Sequence, residues 1–353
     1  MYLKNMNFLK NFISKIVQPS EVSRLGLDLG SYSLKIAEVS LEGDRPILKG
    51  FSQARTFETA IVNQIVNDES LLLSNLKNLF SNFNPTSRAV FLSLPFELTI
   101  FGKFSINNPE DFKEIEKHIN DEIPYKLEDV FYSYFIMPEK SGYEVYYLVS
   151  KKDNIEKVQN VLSGLGYSLE NIDGDFVNIH NFLEYLYGPE NKAVIDLGNE
   201  KVKVHFSNKE VPIYTRELFN LGFKILKTQV MKELKITSDM AERFLFNPPM
   251  DTRGIKIKEI YKKYFKSLIE EINFGIEIVK SKYNFSPEVI YLVGGGAKIP
   301  GIHSLLMDLL KIEIRKIDIR NKIAISENIH PKYLNTILTQ GIFALAAAIK
   351  EFI

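Results

Sequence analysis

Apolar and polar positions along the chain follow two periods, and together they predict an α/β protein built from two similar halves. Apolar runs with the alternation of strands occur at residues 24–40 and again at 192–208, each interrupted by a short polar turn. Apolar residues with helical spacing follow both of these hairpins. The predicted helices cover residues 67–83, 153–165, 176–187, 218–234, 238–246, 257–283, 301–310 and 333–352.

Residues 95–150 depart from this order. The pattern predicts a strand at 98–106, a helix at 109–122, and two strands at 131–137 and 143–149. Strand, helix, strand, strand is a compact unit, so we expect a small subdomain inserted into the first half. Its last two strands are rich in aromatic residues, namely Phe131, Tyr132, Tyr134, Phe135, Tyr143, Tyr146 and Tyr147. These rings either fill the insert's own core or form an anchor surface for a short peptide.

The two hairpins match position by position around their turns. Each has the order Asp-Leu-Gly, turn, apolar-Lys-apolar, which pairs Asp28 with Asp196, Gly30 with Gly198, and Lys35 with Lys203. A third turn near the C-terminus contains Gly294, Gly295 and Gly296. Glycine lets a backbone approach a ligand closely, and successive turn amides bind anions. The pattern favours two loops that close on the phosphates of one nucleotide, and two ordinary β-hairpins are the alternative.

Composition excludes several classes of function. Among 353 residues there are 44 Lys+Arg and 44 Asp+Glu, so the net charge gives no indication of nucleic-acid binding. The chain has no cysteine and five histidines, which argues against disulfides, thiolate chemistry and a zinc site.

The N-terminus is the exception to this charge balance. Residues 1–17 contain three lysines and no acid, with Leu9, Phe12, Ile13, Ile16 and Val17 on one helical face. Such a segment either lies on an anionic membrane surface or packs as a short helix on protein.

Together the motifs resemble the actin-like ATPase superfamily, and within its FtsA/PilM branch most closely the PilM family of type IV pilus assembly proteins. The resemblance rests on GLDLGSYSLK at residues 26–35, IPYKLED at 123–129, SDMAERFLF at 238–246 and VGGGAKIPG at 293–301. It implies an actin-like two-lobed ATPase fold with a strand–helix–strand–strand insert like the 1C subdomain of FtsA. The implied division is an N-terminal segment at 1–20, a first lobe at 21–188 with the insert at 95–150, a second lobe at 189–333, and a C-terminal helix at 334–353 that returns to the first lobe.

By position, the resemblance also implies a site for ATP or ADP with Mg²⁺. Asp28 and Asp196 would hold Mg²⁺ through water, since Mg²⁺ gives up its waters reluctantly. The residues that would contact nucleotide are Ser31, Tyr32, Ser33, Lys35, Gly198 and Asn199 at the phosphates, Glu242 at the ribose, and Gly294, Gly295, Gly296 and Lys298 at the adenosine. Solvated surface charges are the alternative for Glu242 and Lys298.

The second phosphate loop departs from the family pattern. Small hydroxylated residues usually follow its Asp-x-Gly, whereas this chain has Asn199, Glu200 and Lys201. Glu200 places a negative charge beside a proposed phosphate, so we expect hydrolysis to be slow or absent, while backbone amides still permit binding. Asp173 and Asp175 are the candidates for the acidic group near the crossover between the lobes.

The resemblance implies a cytoplasmic adaptor of the type IV pilus machinery, peripheral at the inner membrane. Its expected partner is the cytoplasmic tail of a PilN-like inner-membrane protein, docked in the groove between the first lobe and the insert near Leu94, Pro95 and Phe96. Pilus assembly ATPases and the platform protein are further candidates, and residues 1–17 are a candidate membrane contact. The alternatives are an FtsA-like membrane-associated polymerising protein and a small-molecule kinase of the same superfamily. A kinase needs a catalytic base and a sugar pocket, and the small insert argues against it.

Overall fold

The computed structural model describes residues 22–352, which form a mixed α/β fold. The predicted amphipathic segment at residues 1–17 lies outside the described residues.

The strands are β1 (Val22–Leu29), β2 (Ser33–Glu42), β3 (Arg45–Arg55), β4 (Ile61–Val62), β5 (Ile65–Val66), β6 (Ala89–Leu94), β7 (Ile100–Ile106), β8 (Val130–Pro138), β9 (Tyr143–Lys151), β10 (Ser168–Gly174), β11 (Lys192–Leu197), β12 (Val202–Ser207), β13 (Pro212–Leu218), β14 (Val289–Val293), β15 (Glu313–Arg315) and β16 (Ala324–Ile325). The helices are α1 (Glu69–Phe83), α2 (Phe112–Glu122), α3 (Lys152–Gly164), α4 (Asp175–Tyr187), α5 (Phe223–Leu234), α6 (Ser238–Phe246), α7 (Thr252–Tyr283), α8 (Ile302–Leu310), α9 (Pro331–Thr339) and α10 (Ile342–Ile349).

Two mixed sheets repeat one arrangement of strands. In the six-stranded sheet, ordered β10-β6-β1-β2-β3-β16, β1 pairs antiparallel with β2 and parallel with β6. In the five-stranded sheet, ordered β13-β12-β11-β14-β15, β11 pairs antiparallel with β12 and parallel with β14. Asp28 lies opposite Lys35 in the first hairpin, and Asp196 lies opposite Lys203 in the second. Both predicted hairpins are therefore confirmed, in equivalent registers.

The last helix packs directly on the first sheet. α10 has the sequence IFALAAAI, is buried along its whole length, and contacts β1, β2 and α4. Its alanines allow a close approach, and Gly26 of β1 lies beneath it. A β-carbon at Gly26 would overlap the backbone of Ala344 and Ala348, so this contact requires glycine.

The longest helix, α7, forms the core of the second half. It buries Ile257, Leu268, Ile272 and Val279 at helical spacing against the five-stranded sheet and its neighbouring helices. Among residues 22–352, no helix is both long and apolar enough to cross a membrane.

Residues 100–151 form a separate small sheet, ordered β7-β9-β8. Helix α2 covers one face, where Ile115 and Ile119 pack with Val145 and Tyr147. The order of elements is the predicted strand, helix, strand, strand. Its equivalence to the FtsA insert and the proposed lobe boundaries stay predictions.

The prediction of one helix over residues 333–352 is wrong. α9 ends at Thr339 and α10 begins at Ile342, with Gly341 between them at φ −94° and ψ 5°. The ring of Phe51 from β3 occupies the space where a β-carbon of residue 341 would lie. Glycine at this break therefore makes room for a side chain of the first sheet.

Other helix boundaries differ less. The helix predicted at 218–234 begins only at Phe223, because Pro212–Leu218 continues as a strand that pairs with β12. The helix predicted at 238–246 is confirmed at both ends. At its N-terminus the Thr237 hydroxyl accepts a hydrogen bond from the Met240 N–H and so caps the first turn.

Candidate functional site

The turns of the two hairpins face each other across one cleft. The ends of β1 and β2 supply one wall, the ends of β11 and β12 supply the other, and α6 and the third glycine turn flank them. The predicted site residues on its lining are Asp28, Ser31, Tyr32, Ser33, Lys35, Asp175, Asp196, Gly198, Asn199, Glu242, Gly294 and Gly295. The fold thus brings most of the predicted site residues together, and their binding roles stay predictions.

Three predicted residues do not line this cleft. Gly296 lies against the side chain of Leu197. Lys298 Nζ lies 3.4 Å from Thr336 Oγ1. Asp173 Oδ2 lies 2.5 Å from Lys350 Nζ, which leaves Asp175 as the crossover acid that faces the cleft.

The first turn is held from both sides. Lys35 Nζ donates to Asp28 Oδ2 at 3.0 Å across the hairpin. Thr56, just after β3, donates its hydroxyl to the carbonyl of Gly30 at 2.6 Å and its N–H to the carbonyl of Tyr32 at 3.0 Å. These bonds fix a turn whose residues Ser31, Tyr32 and Ser33 line the cleft, which is where an anion-binding loop would lie.

The second hairpin uses its lysine differently. Lys203 Nζ lies 3.8 Å from Asp196 Oδ2 but donates to Asp175 Oδ2 at 2.5 Å. It also lies 3.6 Å from Glu97 Oε2. Glu97 belongs to the turn Phe96–Leu98, between β6 and the small sheet. Lys203 therefore joins the second hairpin to residues of the first half.

Lys201 extends this ion network. Its Nζ lies 3.2 Å from Glu97 Oε1 and 2.7 Å from Glu217 Oε1. Because Glu97 meets both lysines, charged groups from the two halves of the chain meet in the cleft. We call this group of residues, Glu97, Asp175, Asp196, Lys201 and Lys203, the floor of the cleft.

Burial and neighbouring charges set the pKa values of the acids and of Lys203 at the floor of the cleft. Burial raises the pKa of Asp196 to about 6, and it raises the pKa of Asp175 although Lys203 opposes it. Burial also acts to raise the pKa of Glu97, but the charges of Lys203 and Lys201 outweigh it, so that pKa lies below its ordinary value. Burial acts to lower the pKa of Lys203, and Asp175 and its neighbours raise it well above the ordinary value. Glu97 and Lys203 are therefore both charged at neutral pH.

The mouth of the cleft carries a second bridge between its walls. Tyr32 Oη donates to Glu242 Oε1 at 2.8 Å, and Lys227 Nζ lies 3.5 Å from the same carboxylate. The guanidinium of Arg55 lies 4.6 Å from the centroid of the Tyr32 ring. Burial and the bond to Glu242 raise the pKa of Tyr32 to about 12, so its hydroxyl stays protonated.

The third turn shows why two of its glycines differ. Gly294 has φ +83°, and a β-carbon there would overlap Asp196 and the Leu197 carbonyl. A β-carbon at Gly295 would meet only Gln340 Nε2, at an ordinary contact distance of 3.4 Å. Gly294 is therefore required by the fold, whereas a β-carbon at Gly295, which lines the cleft, is tolerated sterically.

Sequence reasoning missed several lining residues. Glu97 lies in the apolar stretch SLPFELTI at residues 93–100, and an acid within such a stretch was the available signal. Gln340, in the break between α9 and α10, and Phe343, in the first turn of α10, also line the cleft. The prediction of one continuous helix conceals this break.

The small sheet presents a second candidate surface. Phe131 and Phe135 of β8 are 43% and 42% exposed, on the face opposite α2, and Phe135 stacks on Tyr146 at 5.0 Å between ring centroids. Tyr146 and Tyr147 are buried. The aromatic residues therefore divide between a core and a partly exposed face.

The sequence of this chain matches a known protein family over most of its length. A family model described as type IV pilus assembly protein PilM matches residues 26–352. The chain belongs to the PilM family. The match spans both hairpins, the small sheet and the late glycine turn, so the motif-based assignment of this PilM-family chain is confirmed. It is an actin-like protein of type IV pilus assembly.

Solved structures agree with this assignment at the level of fold. A PilM–PilN type IV pilus biogenesis complex has 22% identity, with 95% of this chain and 100% of that chain covered and a TM-score of 0.80. The ethanolamine utilization protein EutJ from Carboxydothermus hydrogenoformans has 16% identity, coverage of 95% and 93%, and a TM-score of 0.51. MreB5 of Spiroplasma citri bound to ADP has 12% identity, coverage of 94% and 99%, and a TM-score of 0.52. The fold of this PilM-family chain is therefore actin-like. No curated protein matches its sequence.

Proposed function

We propose that this PilM-family chain is a nucleotide-binding adaptor, which holds an adenine nucleotide in its cleft and docks a peptide tail of a membrane partner. The observation that carries the nucleotide proposal is the pair of acidic hairpins, in equivalent registers, on opposite walls of one cleft. The ADP-bound MreB5 has the same fold, which supports the proposal without identifying the ligand.

The charge of the lining fits a bound cation. Six carboxylates, from Asp28, Glu97, Asp175, Asp196, Glu200 and Glu242, face three lysines, Lys35, Lys201 and Lys203. This excess of negative charge would repel a bare polyphosphate and attract Mg²⁺. Among residues 22–352 no three acidic or histidine side chains are arranged to ligate a metal directly, so Asp28 and Asp196 would hold the ion through water. Mg²⁺ would there neutralise phosphate charge.

Hydrolysis requires an acceptor for the proton of an attacking water. Asp175 is the acid that faces the cleft, and its Oδ2 is already bonded to the ammonium of Lys203 at 2.5 Å. That oxygen is engaged by the ammonium, so an attacking water has to compete with Lys203 for it. The proposal is therefore a chain that binds nucleotide and hydrolyses it slowly or not at all.

Mg-ADP and Mg-ATP are expected to raise the melting temperature of the full chain, because a ligand that binds only the folded state stabilises it. Gly295→Val should remove this rise, since Gly295 lines the cleft and valine adds a branched side chain there. Gly164→Val in α3, where a β-carbon meets open space, is the matched control and should retain the rise. Phosphate release from the same samples should be slower than about 1 per second, at the low end of enzyme rates. No shift with millimolar nucleotide, after removal of any nucleotide that co-purifies, would refute the binding proposal.

The partner proposal rests on the exposed aromatic face of the small sheet. Phe131 and Phe135 are large apolar side chains on one face of a peripheral strand, and such exposed patches often mark protein contacts. One similar solved structure is a complex of PilM with PilN. A peptide from the tail of a PilN-like partner is therefore the occupant to test on this surface. Pro95 lines the proposed nucleotide cleft, and Phe96 packs edge-to-face against Phe176 with ring centroids 5.5 Å apart. The exposed rings on β8 are therefore better anchors than these junction residues.

A synthetic peptide of the cytoplasmic tail of a PilN-like partner is expected to bind the full chain. The double variant Phe131→Ala and Phe135→Ala should weaken this binding by about tenfold or more, as loss of aromatic anchors usually does. Phe112→Ala is the control, because Phe112 is 61% exposed but lies on α2, on the other side of the small sheet. Fluorescence anisotropy with a labelled peptide measures the affinities of the parent, the double variant and the control. Equal affinity for the double variant and the parent would place the docking surface elsewhere.

A further inference from the structure

Glu97 is a buried carboxylate at the floor of the cleft. Its side chain is 10% exposed, and neither oxygen receives a hydrogen bond of normal geometry from the described part of the chain. Its charge is instead balanced by Lys201 Nζ at 3.2 Å and Lys203 Nζ at 3.6 Å. Glu97 is therefore held to the second loop by charge rather than by hydrogen bonds of normal geometry.

The two lysines belong to the loop that would receive phosphate. Lys201 and Lys203 line the cleft and follow directly on the second turn. Carboxylate and phosphate oxygens compete for the same ammonium groups, because both form charge-assisted hydrogen bonds with them. Glu97 comes from the first half of the chain, in the turn between β6 and β7. It therefore meets the second loop as an anionic ligand would.

The rest of the floor is also acidic. Asp175 and Asp196 flank Lys203, and Asp175 Oδ1 is buried without a hydrogen bond from residues 22–352. Each additional phosphate group that enters toward the floor comes close to these carboxylates. At separations of about 5 Å in a partly buried site, one such unit charge changes an affinity by about tenfold or more.

We infer that the cleft prefers nucleoside diphosphates to nucleoside triphosphates and that Glu97 is the residue that sets this preference. The inference rests on the proposed nucleotide site. A diphosphate fits while Glu97 remains on Lys201 and Lys203. A triphosphate has to displace Glu97 from both lysines and bring its third phosphate beside buried carboxylates. Glu97 acts here by its charge and is not a catalytic residue.

Calorimetric titration of the full chain with ADP and with ATP, both in excess Mg²⁺, tests the inference. ADP is expected to bind at least about tenfold more tightly than ATP. Glu97→Gln keeps the size of the side chain and removes its charge, so the ADP:ATP affinity ratio should fall by about fivefold or more. Glu217→Gln is the matched control, because it removes an equal charge from Lys201 outside the cleft lining. It should shift both affinities together and leave their ratio unchanged.

The outcomes separate this inference from the function on which it rests. If neither nucleotide binds, the proposed nucleotide site fails. If ATP binds as tightly as ADP, or if the ratio survives in a folded Glu97→Gln protein, the inference about Glu97 is overturned while the site stands. If Glu97→Gln does not fold, Glu97→Asp is the second variant. Its shorter side chain reaches Lys201 and Lys203 less well, so the ADP:ATP affinity ratio should also fall. An unchanged ratio in that variant is equally contradictory.

Discussion

At pH 8, Asp196→Asn is expected to be more stable than the parent protein by on the order of 2–3 kcal/mol. Burial raises the pKa of Asp196 to about 6 from an ordinary 3.8. Above pH 6 the folded protein therefore carries an ionised carboxylate in a site that disfavours it, whereas the unfolded chain ionises freely. The penalty is absent below about pH 4, develops as the pH rises toward 6, and is complete above it. Asparagine removes the charge and keeps the shape.

Urea unfolding of both proteins at pH 4 and pH 8 measures this difference. The two curves should nearly coincide at pH 4 and separate at pH 8, with unchanged slopes. Asp28→Asn is the control, because Asp28 is bonded to Lys35 at 3.0 Å and its replacement breaks that ion pair. It should give no gain. An Asp196→Asn protein less stable than the parent at pH 8 would contradict this account. In this account, the buried carboxylate of Asp196 lowers the stability of the fold and is kept for the proposed binding site.

Gly26→Ala is expected to destabilise the protein by about 3–5 kcal/mol, at the upper end for single substitutions. The added methyl group would overlap the backbone of Ala344 and Ala348 in α10, and backbone cannot rotate away as a side chain can. Relief of the overlap requires α10 to move off β1, which opens the core beneath the first hairpin. The same movement would displace Phe343 from the cleft lining.

The matched control for this substitution is Gly164→Ala. Gly164 ends α3 in open space, so alanine should be neutral or stabilising by up to about 1 kcal/mol, as expected from helix propensity. Denaturant unfolding gives both values. A loss below about 1 kcal/mol for Gly26→Ala would show that the contact between β1 and α10 yields more easily than its geometry indicates.

The sequence predicted the repeated part of this fold well. The two hairpins have strong alternation, and the Asp-Leu-Gly turn occurs in both copies, so Asp28 and Asp196 were located without any structure. The glycine turn before α8 was recognised because three consecutive glycines have few other uses. Local signals of this kind do not depend on the rest of the molecule.

The parts that failed depend on contacts between distant segments. The break at Gly341 follows from the ring of Phe51, which is nearly three hundred residues earlier in the chain. The pairing of Glu97 with Lys201 and Lys203 joins the two walls of the cleft, and nothing in the spacing of these residues indicates it. Tyr32 and Glu242 were each predicted at the site, but their mutual hydrogen bond was not. One sequence carries no record of such partners.

The central claim is that the two hairpins close on one nucleotide, and an X-ray structure of the protein co-crystallised with Mg-ADP tests it most directly. The account predicts the phosphates between the turns at residues 30–33 and 198–201, with the adenosine toward Gly295 and the ribose at Glu242 in place of Tyr32. Nucleotide bound at any other place, or a cleft that stays empty at saturating Mg-ADP with the bond between Tyr32 and Glu242 intact, would contradict it.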